Sequence, residues 1–164
     1  MSKPVFFGWL GATWGLLGVI GLLAYAVYRL FWISVDAFSV PFNGLQWLLF
    51  IGNTLFMAWS EGYKGFQKSF SPKVASRARD LLDNPRAIPV LLAPLYCMHF
   101  FDTTRRQLIV TYALTVMIVI LIIVFHMLDQ PWRGILDAGV VVGLSWGIVT
   151  ILISSVKQFK PSIC

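Results

Sequence analysis

The chain has 164 residues, 58% of them hydrophobic and only 12% charged, with a mean hydropathy of +0.77. A soluble domain carries about 25% charge and at most about half apolar residues. A disordered tail, a secreted disulfide scaffold and nearly every soluble enzyme are therefore excluded, and lipid is the expected solvent. The net charge of +6 resembles a nucleic-acid signature. The basic residues, however, lie between apolar blocks, as topology signals do, so the expected partner is the lipid bilayer and not nucleic acid.

The first apolar block runs over residues 5–28 and contains no charge before Arg29. At about 1.5 Å per residue it crosses a hydrocarbon core of about 30 Å with room for tilt. Lys3 and the Ala24-Tyr25-Ala26 step also fit a secretory leader. The apolar core exceeds the usual ~7–15 residues of a leader, and Tyr25, Tyr28, Phe31 and Trp32 follow as interfacial anchors, so a retained helix is expected. The second span is placed at 43–63, interrupted by Gln46, Asn53, Thr54, Ser60 and Glu61.

A basic loop follows at 64–86. Within it Ser71-Pro72 reads as an N-cap with proline at the first helical position, and Asn84-Pro85 reads as a stop. Val74, Ala78, Leu81 and Leu82 form an apolar stripe, which suits either a helix lying on an anionic leaflet or a solvated connector. The apolar segment 87–101 is about 15 residues long and contains Pro89 and Pro94. It is too short to cross comfortably, so it is expected to be re-entrant, interfacial or buried against other helices. The third and fourth spans are placed at 107–128 and 132–156, the last opening after Pro131.

Eleven Lys and Arg residues fall on one side of this four-span arrangement and only Arg29 and Arg133 on the other. The positive-inside rule then puts both termini and the basic loop in the cytoplasm, with the bacterial inner (plasma) membrane as the location. Cys97 and Cys164 fall on the same side and are expected to be reduced. The fold class is an all-α, polytopic four-helix membrane bundle forming one membrane domain, with a short apolar segment before the third span.

Glycine gives the strongest local signal. Gly8, Gly11, Gly15, Gly18 and Gly21 share one arc of the first span, and Gly139, Gly143 and Gly147 form two small-xxx-small steps in the fourth. Such rows let helix backbones approach closely. Span one packing on span four is the simplest arrangement, and a homo-oligomer through one row is the alternative. Gln46, Asn53 and Ser60 recur every seven residues and line one face of the second span, either as interhelical hydrogen bonds or as a polar path.

Each membrane-level carboxylate has a nearby cation on its own helix: Glu61 with Lys64, Asp102 with Arg105 and Arg106, and Asp137 with Arg133. His99, Arg105 and Arg106 form a candidate contact for lipid headgroups. Cys97, Met98 and His99 are soft ligands at adjacent positions that point apart on a helix, so no metal and no cofactor is expected. No phosphate loop, nucleophile elbow, H-E-x-x-H or dinucleotide fingerprint occurs. The function expected is therefore that of a non-catalytic subunit or accessory protein, with another membrane protein or a second copy as partner. A small transporter and a lipid-directed enzyme are the alternatives.

Overall fold

The computed structural model describes residues 3–159, with side chains from residue 6 onward; Lys160 and Cys164 lie outside it. Its elements are α1 (Lys3–Ala37), α2 (Gly44–Met57), a π-helical stretch (Ala58–Phe70), α3 (Ser71–Asp83), two short helices α4 (Ala87–Leu91) and α5 (Ala93–Cys97), α6 (Arg105–His126) and α7 (Trp132–Phe159). No strand occurs among the described residues. Three helices are long and apolar enough to cross a membrane, covering Phe6–Ala37, Arg105–His126 and Trp132–Phe159.

α2 has a defined start. Asn43 accepts from the Gln46 backbone N–H, and Gln46 returns the bond to the Asn43 N–H, both at 2.9 Å. This reciprocal pair satisfies two donors that a helix start otherwise leaves orphaned. The helix then runs without interruption through the π stretch into α3. The apolar stretch expected to end at residue 63 is thus the first half of a rod that reaches Asp83.

Ser71 is not a cap. It is helical and buried, and its hydroxyl shares a 2.8 Å hydrogen bond with Thr150 of α7. Pro72 has no N–H to give to the preceding turn, and the ladder changes from π to α at this point. The Asn84-Pro85 stop does end α3. Its apolar stripe, however, faces protein: Val74, Ala75, Ala78 and Leu81 are fully buried against α1 and α7 rather than laid on a lipid leaflet.

α1 and α7 are antiparallel along their length. Trp9 stacks on Phe159 at one end, with ring centroids 5.9 Å apart. At the other end the Gln130 amide donates to the Ile33 carbonyl and its oxygen accepts from the Gly134 N–H. The rod from α2 to α3 runs parallel to α7, from Asn53 beside Ile135 to Arg79, which donates to the Gln158 carbonyl at 2.9 Å. The buried core lies toward the Trp9–Phe159 end. Ala12, Val19, Val74, Ala78, Leu81, Ala93, Tyr96, Cys97 and Ile151 close it.

The segment 87–101 folds as α4 and α5 along α1, where Val90, Ala93 and Pro94 meet the glycine row. At the opposite end of α1, Phe38, Phe42, Trp47 and Phe50 form an aromatic cluster of the kind that sits at headgroup level. α6 stands apart from the rest and buries no side chain. It is tied at its start by Phe100 against Tyr112 and at its end by a 3.3 Å contact between Arg133 and His126.

Candidate functional site

Apart from Gly21, which faces open space, both glycine rows are filled from within the chain, by partners other than those expected. A methyl group at Gly11 would meet Val90, one at Gly15 would meet Cys97 and Ala93, and one at Gly18 would meet Pro94. α1 therefore turns Gly11, Gly15 and Gly18 to α4 and α5, and Gly8 to Leu82 of α3, while a different face of α1 packs on α7. In α7, Gly139 receives Asn53 and Met57, Gly143 receives Glu61, and Gly147 receives the Phe66 ring. α7 thus spends its row on the α2–π rod.

The three polar residues of the segment expected as the second span are put to separate uses. Gln46 completes the cap of α2, whereas Asn53 donates across to the Ile135 carbonyl at 2.9 Å and reaches the Leu136 carbonyl at 3.4 Å. Ser60 is half-buried. Seven-residue spacing did not bring the three to one common partner, because a cap takes its geometry from the chain end and not from the helix face.

Glu61 departs from its expected pairing. Lys64 sits over the Trp59 ring, 3.8 Å from its centroid, rather than on the carboxylate. Glu61 has no hydrogen bond or ion pair among the described residues, and one carboxylate oxygen lies 3.0 Å from the position a Gly143 Cβ would take. Gly143 is about 16 Å along the axis from Trp132 and about 21 Å from Lys157, given the rise of an α-helix. The sole glutamate of the chain therefore lies near the middle of α7. In α7 itself Arg133 does pair with Asp137, at 3.7 Å.

The richest polar arrangement joins α3, α5 and the turn before α6. Asp102 does not pair with the arginines that follow it. Arg86 holds its carboxylate at 3.1 Å, and Arg77 donates to its backbone carbonyl at 2.7 Å. The Arg77 guanidinium also lies over the Tyr96 ring, and the Tyr96 hydroxyl donates to Asp80 at 2.5 Å. His99 and Asp102 both adopt left-handed backbone, with φ of 65° and 54°. Non-glycine residues pay for that conformation unless neighbours hold it, and here Arg77 and Arg86 hold Asp102 while the His99 ring contacts the Cys97 carbonyl at 3.2 Å.

Burial, followed by the nearby Arg77 charge, pushes the His99 pKa down, favouring a neutral ring at physiological pH. Burial pushes the Cys97 thiol up to about 12, which leaves it protonated and unreactive. Its sulfur points at Gly15 of α1 and away from His99, so the soft cluster is split between two directions. Arg105 and Arg106 are exposed at the start of α6 and pair with no acid among the described residues. The residues that sequence reading missed are Arg77, Asp80, Arg86 and Tyr96. Their contacts span 16 to 25 positions, beyond any local spacing rule.

No known protein family, curated protein or solved structure matches this chain.

Proposed function

We propose that the chain is a four-span protein of the bacterial inner membrane, with both termini cytoplasmic, that acts without catalysis as a subunit or accessory protein of another membrane protein. The observation carrying this reading is how little α6 touches the rest of the fold, meeting α7 alone among the helices to any extent. Gly11, Gly15, Gly18, Gly139, Gly143, Gly147 and the Asn53 amide are used inside the chain, whereas α6 presents apolar side chains on every face and buries none. A helix that contributes so little to its own fold is available to a neighbour. The four-span reading is supported by the shared end of Trp9 and Phe159.

The test is a photo-crosslinking amino acid placed at Ile118 in α6, compared with one at Leu152 in α7, in native membranes. The expected result is a discrete protein adduct from position 118, stronger than from position 152. Lipid adducts alone at position 118 would overturn the subunit reading.

One observation favours transport as a second reading. An ionisable group inside a membrane marks a functional site by default, and π-helical turns cluster at such sites. Glu61 combines both features, with no cation facing it from α7 between Arg133 and Lys157. On this reading, proteoliposomes holding the chain collapse an imposed pH gradient and Glu61→Gln abolishes the effect. Wild-type protein that leaves the gradient intact removes proton transport.

A further inference from the structure

A groove of about 810 Å³ runs between the outer face of α1 and the start of α4. Phe7, Leu10, Trp14 and Leu17 form one wall, at the three- and four-residue spacing of a single helix face. Leu91 and its neighbours on α4 form the other. Nothing among the described residues fills it, and Leu17 and Leu91 remain 65% and 76% exposed. The Thr13 hydroxyl in the wall is already spent on the Trp9 carbonyl at 2.8 Å.

The groove has a polarity. Among the described residues, Arg86 is the one charged side chain lining it, and it enters α4 at the end where Gly8 of α1 meets Leu82. From Phe7 to Leu17 the apolar wall extends about 15 Å at the α-helical rise. A guanidinium offers five N–H donors, and Arg86 commits only Nη1, to Asp102. Nearby, Arg77 donates to the Asp102 carbonyl, so two arginines meet at this corner.

We infer that this groove binds one anionic phospholipid, with an acyl chain along α1 and the phosphate at Arg86. An apolar trough with a cation at one end matches the polarity of a lipid, and the volume falls in the range of small-molecule sites rather than a protein interface. Arg suits phosphate because its planar fork donates to two oxygens at once. The site is separate from the His99, Arg105 and Arg106 contact expected from sequence, and it stands whether or not the chain serves as a subunit.

Purified full-length protein in detergent, titrated with phosphatidylglycerol or phosphatidylcholine and read by native mass spectrometry, tests the inference. One phosphatidylglycerol per chain is expected, held at least tenfold more tightly than phosphatidylcholine. Arg86→Gln should reduce the affinity for phosphatidylglycerol to that for phosphatidylcholine. Ala87→Phe, which fills the groove without touching the charge, should weaken both lipids. Asp102→Asn loosens the turn yet spares the guanidinium and should keep the preference, which separates lost binding from lost folding. Equal binding of the two lipids by wild type, full preference in Arg86→Gln, or unchanged binding in Ala87→Phe would each overturn it. So would displacement of the lipid by millimolar inorganic phosphate, which would put binding in the arginine corner alone, or occupation of the groove by a co-purified polypeptide.

Discussion

Gly143→Leu is expected to lower the melting temperature in detergent by several degrees, while Leu at Val119 leaves it unchanged. At Gly143 even a methyl group would lie 3.0 Å from a Glu61 oxygen and 3.1 Å from the Glu61 Cβ. A leucine must displace the π stretch from α7 or force Glu61 out of its place. Overpacking of this kind costs roughly 1–3 kcal/mol, and a chain of this size loses about 2–4 °C per kcal/mol. Val119 is half exposed on α6, where an added methylene meets lipid or detergent. Circular-dichroism melts of the two variants side by side provide the measurement. Equal melting temperatures would mean that the approach of α7 to the rod is not set by its glycines.

The same contact shows which parts of the fold were readable in the sequence. Length and hydropathy were enough for α1, α6 and α7, because a bilayer imposes a minimum apolar run that no other constraint imitates. The segment expected as the second span was harder to read. Its apolar face does not stop at residue 63 but passes into an amphipathic π stretch and then into α3, whose low hydropathy hides a buried stripe. Hydropathy averages over faces, so a helix packed on one side and wet on the other reads as a loop. The glycine rows were legible as close-approach surfaces, yet a row does not name its occupant. α1 and α7 do pack together, while their glycines look toward α4, α5 and the rod.

Charge pairing divides along the same line. Arg133 with Asp137 is a one-turn pair on one helix, and the structure contains it. Asp102 also had cations at the right spacing, but Arg77 and Arg86 reach it from other elements, and its left-handed backbone carries it out of helical register with Arg105 and Arg106. Glu61 shows the opposite case: Lys64 prefers the Trp59 ring, leaving a carboxylate against a glycine. Local spacing proposes ion pairs, and the third dimension selects among them. The Arg77–Asp102–Arg86 corner and the groove beside it therefore became visible only once α3, α4 and the turn before α6 were in place.

The Arg133–Asp137 pair carries the second large effect. The Asp137 side chain is 4% exposed and that of Arg133 22%, and their 3.7 Å separation is an ion pair without a direct hydrogen bond. Removing one partner of a buried pair leaves the other charge without compensation, which costs about 3–5 kcal/mol. Arg133→Leu should therefore destabilise the bundle by about 3 kcal/mol, the lower end, because the arginine is partly reached by solvent. Asp137→Asn should cost less, since an amide needs no counter-charge. The discriminating measurement is the double variant in a reversible denaturation series. With Asp137 already neutral, Arg133→Leu has no charge left to strand, so the double variant should be more stable than Arg133→Leu alone. Additive losses would show that Arg133 acts through its contact with His126 at the end of α6 rather than through Asp137.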